Sequence, residues 1–223
     1  MILNLSYPVD HSKILNVKEK LLQGWLNKIS QKRPGIHISD LVGCHRQVCF
    51  QKLDPKMPTL DEDTIRKIKF FHVGQEVHLN LQELLKSDEN WEIGKEVVWN
   101  GSGSVPIIGH VDAIYRKDDL VVAVEIKTTH SEKPLLKPFD YNIRQLKYYL
   151  AILGANYGKP LYIRVGDVKE HFIEHLVTFD YANEKKEILI KLERDAAELQ
   201  RGPKAESCFS ALSIIRRIPP NSL

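Results

Sequence analysis

Apolar residues recur at helical spacing over roughly residues 12–31, where Ile14, Val17, Leu21, Leu22, Trp25, Leu26 and Ile29 share one face. Ser12 can cap the start of this helix, and Pro34-Gly35 ends it. A second helix is predicted from Ser39 or Asp40 through LVGCHRQVCFQKL, stopping at Asp54-Pro55. After the linker MPTLDED the pattern predicts a long helix at about 62–86, with Ile65, Ile68, Phe71, Val77, Leu81 and Leu84 inward. The period then changes from helical to alternating. WEIGKEVVW, VPIIGHVDAIYR and LVVAVEIKTT read as three strands, joined by the flexible NGSGS and the tight turn KDD. A helix over about 141–153 follows, then PLYIRVGDV and HFIEHLVTF as two strands and YANEKKEILIKLERDAAELQ as the last helix. The tail, GPKAESCFSALSIIRRIPPNSL, keeps neither period. This order predicts a mixed α/β domain: an N-terminal helical region over 1–60, a core with one central sheet over 61–180, and a C-terminal helix and tail over 181–223.

At 223 residues the chain is long enough for one good hydrophobic core. Hydrophobic content of 43% with 27% charged residues argues against long disorder. A net charge of +3 does not advertise nucleic acid, so any such site must be a local patch. Basic runs exist in Lys13, Lys18, Lys20, Lys28, Lys32 and Arg33, and in Arg66, Lys67 and Lys69, although solvated helix faces read the same way. Cys44, Cys49 and Cys208 are too few and too scattered for a disulfide framework. The start lacks the layout of a signal peptide, and no apolar run approaches a membrane span. The expectation is a cytoplasmic protein with no membrane partner.

Charge within the alternating strands is the candidate chemistry. Glu125 and Lys127 emerge on one face of their strand, with Ile126 opposite. Asp112, on the preceding antiparallel strand, is placed to meet Glu125 across the pair. Two facing carboxylates repel unless a cation lies between them. Oxygen ligands suit Mg²⁺ or Mn²⁺, which would also take a backbone carbonyl such as that of Ile126. A lysine beside the cation can hold or deprotonate an attacking water and offset charge on a phosphoryl oxygen. By itself this spacing also describes an exposed hairpin face. Two further pairs bear on it. Gly74 and His78 share a face of the long helix, where the glycine admits close approach and the histidine offers a nitrogen ligand. His72 lies about 120° round the helix from His78, so it is the second choice. Gln145 and Tyr149, also four apart, can orient a phosphate or a base beside the metal.

The ordered set G-x-x-x-H, G-H-V-D, E-I-K and Q-x-x-x-Y resembles the RecB-type branch of the PD-(D/E)XK nucleases over about residues 62–180. That resemblance implies a restriction-endonuclease-like core and metal-dependent hydrolysis of DNA. His78, Asp112 and Glu125 match the metal positions, Lys127 the catalytic lysine, and Gln145 and Tyr149 the supporting motif. ISDLVGCHRQVCF is similar to the start of the CRISPR-associated RecB-like exonucleases, with Cys44 and Arg46 matching. Members of that family degrade single-stranded DNA and hold a [4Fe–4S] cluster on one early and three late cysteines. Here only Cys208 stands late, and a cubane needs four thiolates, so no iron–sulfur cluster is expected. The function implied is a Mg²⁺- or Mn²⁺-dependent exonuclease on single-stranded DNA, CRISPR-associated or borne by a virus or other mobile element. Arg46, Arg66, Lys69 and Arg144 are the expected phosphate contacts, and a homo-oligomer or a DNA-processing partner is compatible with it. The alternative is a catalytically idle DNA-binding or scaffolding module.

Overall fold

The change of period after residue 90 becomes a sheet. The computed structural model describes residues 20, 22, 24–27, 33–53, 61–101, 105–130, 135–165 and 171–202. Its elements are β1 (Ile36–His37), α1 (Ile38–Leu41), α2 (His45–Leu53), α3 (Glu62–Leu85), β2 (Trp91–Trp99), β3 (Ile107–Lys117), β4 (Leu120–Thr129), α4 (Asp140–Leu153), β5 (Tyr157–Arg164), β6 (Phe172–Glu174), β7 (Val177–Thr178) and α5 (Tyr181–Gln200). The protein is an α/β fold with a central mixed sheet flanked by helices and an N-terminal helical region.

Local chemistry sets the helix ends. Asp61 accepts from the Thr64 amide (2.7 Å) at the start of α3, and Asp180 from the Asn183 amide (3.2 Å) at the start of α5. Gly154 closes α4 in the left-handed conformation, at φ 72°.

Departures from the sequence reading are local. The helix predicted over 12–31 is described only at Lys20, Leu22 and 24–27, all helical, and the predicted tail lies outside the described residues beyond Gly202. The helix predicted from Ser39 is two helices, α1 and α2, preceded by β1. Asp40 sets where α1 begins. Lying in the first turn, it is buried, accepts from the His37 amide at 3.0 Å, and pairs with Lys52 at 3.0 Å, so it joins β1, α1 and α2. The strand predicted at HFIEHLVTF is broken at His175–Leu176, because β6 pairs with one end of β5 and β7 with the other. β5 begins at Tyr157, before the predicted Pro160, where Gly158 leaves room for Leu146; a Cβ there would lie 2.6 Å from that side chain.

Among the described residues, seven strands form the sheet. β2 runs antiparallel along nearly all of β3. Since a strand has two edges, β1 and β4 share the other one. β1 pairs parallel with Ile107 and Ile108, and β4 antiparallel from Ala113 to Lys117. β4 then continues parallel to β5 from Val122 to Thr129. One face packs on α4 and α5 through residues such as Val111, Ala123, Leu146, Leu150 and Leu192. The other packs on α3, where Val77, Leu81 and Leu85 cover Ala113, Val124 and Ile126.

Strict alternation fails at one place, and it matters for the site. On β3, Ile107 and Val111 belong to the α4 and α5 face, but Ala113 belongs to the α3 face. On β2, Ile93 lies against α3 whereas Val97 lies on the opposite side. Both strands change face at the same level, where Gly94 takes φ 61° and its pairing with Asp112 is missing from the ladder.

Candidate functional site

Asp112 stands at that switch, and it is also where β4 leaves β3. The β3–β4 ladder stops at Ala113 and Val124. One more step would set Asp112 opposite Glu125, as the sequence predicts. Instead the Asp112 side chain fills the opening, and its Oδ2 accepts from the Ile126 amide at 2.7 Å. A carboxylate replaces the missing strand-to-strand hydrogen bond.

Glu125 and Lys127 share a face, as alternation predicts. Glu125 is only 2% exposed. Its Oε1 accepts from Lys127 Nζ at 2.6 Å, and its buried Oε2 has no hydrogen-bond partner among the described residues. Burial, then the neighbouring Asp112 charge, raise the Glu125 pKa to about 8 against the pull of Lys127. Burial disfavours the Lys127 ammonium, but the carboxylates of Glu125 and Asp112 outweigh it and its pKa is raised. Gln145 Oε1 lies 3.4 Å from Lys127 Nζ, and Gln145 Nε2 donates to the Tyr149 hydroxyl at 3.1 Å. Both residues are buried. Burial and the Glu125 charge hold Tyr149 as a neutral phenol. Gly109, in G-H-V-D, makes room for that ring: a Cβ would lie 2.6 Å from Tyr149 Cε1 and 2.7 Å from Ile38 Cδ1.

From the other face, His78 Nδ1 comes to 3.6 Å from Asp112 Oδ1, an ion-pair distance rather than a hydrogen bond. Gln82 Nε2 donates to the Asp112 carbonyl at 2.9 Å. His72 lies away from this group, with its ring 4.5 Å from that of Trp25. Gly74 sets how closely α3 approaches, since a Cβ there would lie 2.8 Å from Thr128 Oγ1. Gly74→Ala gains about 1 kcal/mol of helix propensity but overpacks a contact of the kind that costs about 1–3 kcal/mol. We expect a net loss of stability in urea unfolding, recovered when Thr128→Ala is added. A single variant as stable as the wild type would contradict this.

α3, β3 and β4 enclose a cleft of about 390 Å³ that reaches from His78, Gln82 and Asp112 past Gly74 and Thr128 to Phe70 and Phe71. Among the described residues, no three of His, Cys, Asp and Glu are gathered into a ready metal site. The two faces explain this: His78 comes from α3, Glu125 faces α4, and Asp112 lies in the seam with one oxygen held by Ile126. The donor set nonetheless suits a hard cation. It offers two carboxylates near enough to disturb each other and a buried carboxylate oxygen that has no hydrogen-bond partner among the described residues.

The expected DNA contacts are more dispersed. Arg66 and Lys69 are exposed on α3, Arg66 in a surface pair with Asp63 at 2.8 Å. Half-buried Arg144 donates to the Val42 carbonyl at 3.1 Å, and Arg46 lies on α2. Cys49 is buried with its Sγ donating to the Leu199 carbonyl at 3.3 Å, while Cys208 lies outside the described residues. The sequence reading passed over Gln82 and Tyr141, although their spacing marks them. Gln82 follows Gly74 and His78 at four-residue steps, and exposed Tyr141 precedes Gln145 and Tyr149 in the same way. Partial burial of its ring, then the neighbouring Tyr162, raise the Tyr141 pKa, and the nearby Lys127 ammonium opposes them.

No model of a known protein family matches this chain. No curated protein matches it either. Among solved structures it is similar to SSO0001, with 28% identity, a TM-score of 0.61, and coverage of 93% of this chain and 97% of that one. It is less similar to the alkaline exonuclease LHK-Exo of Laribacter hongkongensis, at 14% identity and a TM-score of 0.46 over 87% of this chain and 98% of that one. LHK-Exo in complex with dAMP gives 14% identity and a TM-score of 0.49 over the same shares.

Proposed function

We propose that this chain is a Mg²⁺- or Mn²⁺-dependent deoxyribonuclease of the PD-(D/E)XK type, RecB-like, acting as an exonuclease on single-stranded DNA. The observation that carries this reading is the Glu125 carboxylate. It is buried against Asp112 and Lys127 at a split between strands, with one oxygen unpartnered among the described residues. Stability alone gives little reason to bury a carboxylate in this way. His78, Asp112, Glu125 and the Ile126 carbonyl are the residues that would hold the cation. When bound, it supplies Lewis-acid polarisation of the phosphate and acidifies a water.

The chain's own residues do the rest. Glu125 and Gln145 fix the Lys127 ammonium beside the carboxylates, where it offsets charge developing on a phosphoryl oxygen. Tyr149, held neutral, orients the Gln145 amide. Asp112 keeps the strands apart at this level by occupying the Ile126 amide.

Incubating labelled single- and double-stranded DNA with Mn²⁺, Mg²⁺ or EDTA tests the proposal. Metal-dependent shortening of single strands is expected. Binding without cleavage in any metal would instead identify an idle DNA-binding module, the reading favoured by the ungathered ligands. Binding through Arg46, Arg66, Lys69 and Arg144 runs chiefly through phosphates. Affinity for single strands should then fall with salt, with a log–log slope between about −2 and −3 for four contacts or nearly so. A salt-independent affinity would remove these residues from the interface.

A further inference from the structure

The cleft on the α3 side has two chemically different ends. At one end stand His78 and Asp112, and at the other Phe70 and Phe71. Both phenylalanines are unusually open for large apolar side chains, at 42% and 46% exposure. Neither ring is loose. Phe70 is backed by the His130 ring with centroids 3.9 Å apart, and Phe71 meets the edge of His72 at 5.8 Å. Along α3 these rings lie about two turns from the histidine, since seven residues at about 1.5 Å each separate Phe71 from His78 by roughly 10 Å. A volume of about 390 Å³ lies at the small end of ligand pockets, a size that suits one small planar group.

Resting on the nuclease reading above, we infer that the Phe70–Phe71 end of this cleft seats one unpaired nucleobase of the strand whose phosphate lies at the Asp112 end. A fixed aromatic ring is a stacking platform that accepts any base, because every base has a π-face. Inside a duplex both faces of a base are covered by its neighbours, so this seat favours unpaired nucleotides. It therefore gives the site a preference for single strands without a preference for sequence. Phe70 and Phe71 are positioning residues, and they take no part in the chemistry.

The test measures binding of the full-length protein to single-stranded 12-mers in Ca²⁺, using a series in which one abasic site is moved along the strand. Wild-type affinity should fall about tenfold when the missing base is the seated one, a size typical of one stacked base. It should change little at other positions. Phe70→Ala with Phe71→Ala should bind the intact strand about tenfold more weakly and lose this dependence on position. Phe70→Tyr with Phe71→Tyr, which keeps the rings, should retain it, and matching thermal unfolding of the variants shows that the fold is kept. Equal affinity across the abasic series in a wild-type protein that still cleaves single strands would overturn the seat and leave the nuclease reading standing. The same is true of an alanine variant that keeps the wild-type position dependence. A wild type that neither binds nor cleaves would overturn both.

Discussion

Lys127→Ala should slow DNA cleavage by about a hundredfold to a thousandfold, or roughly 3–4 kcal/mol of transition-state stabilisation, while leaving DNA affinity almost unchanged. The ammonium lies 2.6 Å from Glu125 and 3.4 Å from Gln145, about 30% exposed, at the junction of both carboxylates and the supporting helix. Its removal takes away at most one phosphate contact and no metal ligand. Metal binding should therefore survive or tighten, because a positive charge has left the cation's neighbourhood. Single-turnover cleavage, strand binding and calorimetry with Mn²⁺ separate these effects. Wild-type cleavage by this variant would show that the charges on β4 are not the active site.

Glu125→Gln has the second large effect, and its sign depends on pH. The folded-state pKa is about 8, against an ordinary value of 4.5. Below about 4.5 the carboxyl is protonated whether the chain is folded or not, and its contribution to stability is complete. Between 4.5 and 8 the unfolded chain ionises while the folded one holds its proton, so metal-free stability falls as pH rises, by at most about 1.4 kcal/mol per pH unit from this group. The loss levels off above 8. Glu125→Gln cannot ionise, so its metal-free melting temperature should vary less with pH and exceed that of the wild type near pH 8. Adding Mn²⁺ should raise the wild-type melting temperature at pH 8 and leave the variant unmoved. Melting curves from pH 5 to 9, with and without Mn²⁺, check both parts. Equal responses to Mn²⁺ in the two proteins would rule out Glu125 as a ligand. Asp112→Ala should also lose metal binding. Unlike Glu125→Gln, it should be less stable in EDTA as well, since the Ile126 amide loses its acceptor, a loss of about 1–3 kcal/mol.

Where the code is local, the chain can be read directly. The spans of β2, β4 and α5 match the predicted ones, because alternation with a tight turn, or a capped amphipathic run, is decided by neighbours in sequence. The shared face of Glu125 and Lys127 and the four-residue spacings of Gly74 with His78 and Gln145 with Tyr149 follow from strand and helix geometry alone. The sequence therefore determined which side chains could meet on each element, and it placed the charges on an otherwise apolar, alternating strand. How the elements meet depended on competition for edges and space. β1 takes one end of the β3 edge and β4 the other, so the expected pairing of Asp112 with Glu125 opens, and Asp112 turns to the Ile126 amide. Gly94 in its left-handed conformation lets two strands change face at that level, which no period of two can announce. Asp40, a plausible helix start by residue type, is drawn into the core by the His37 amide and Lys52. These outcomes rest on contacts between residues far apart in the chain, and only the packed sheet brings them together.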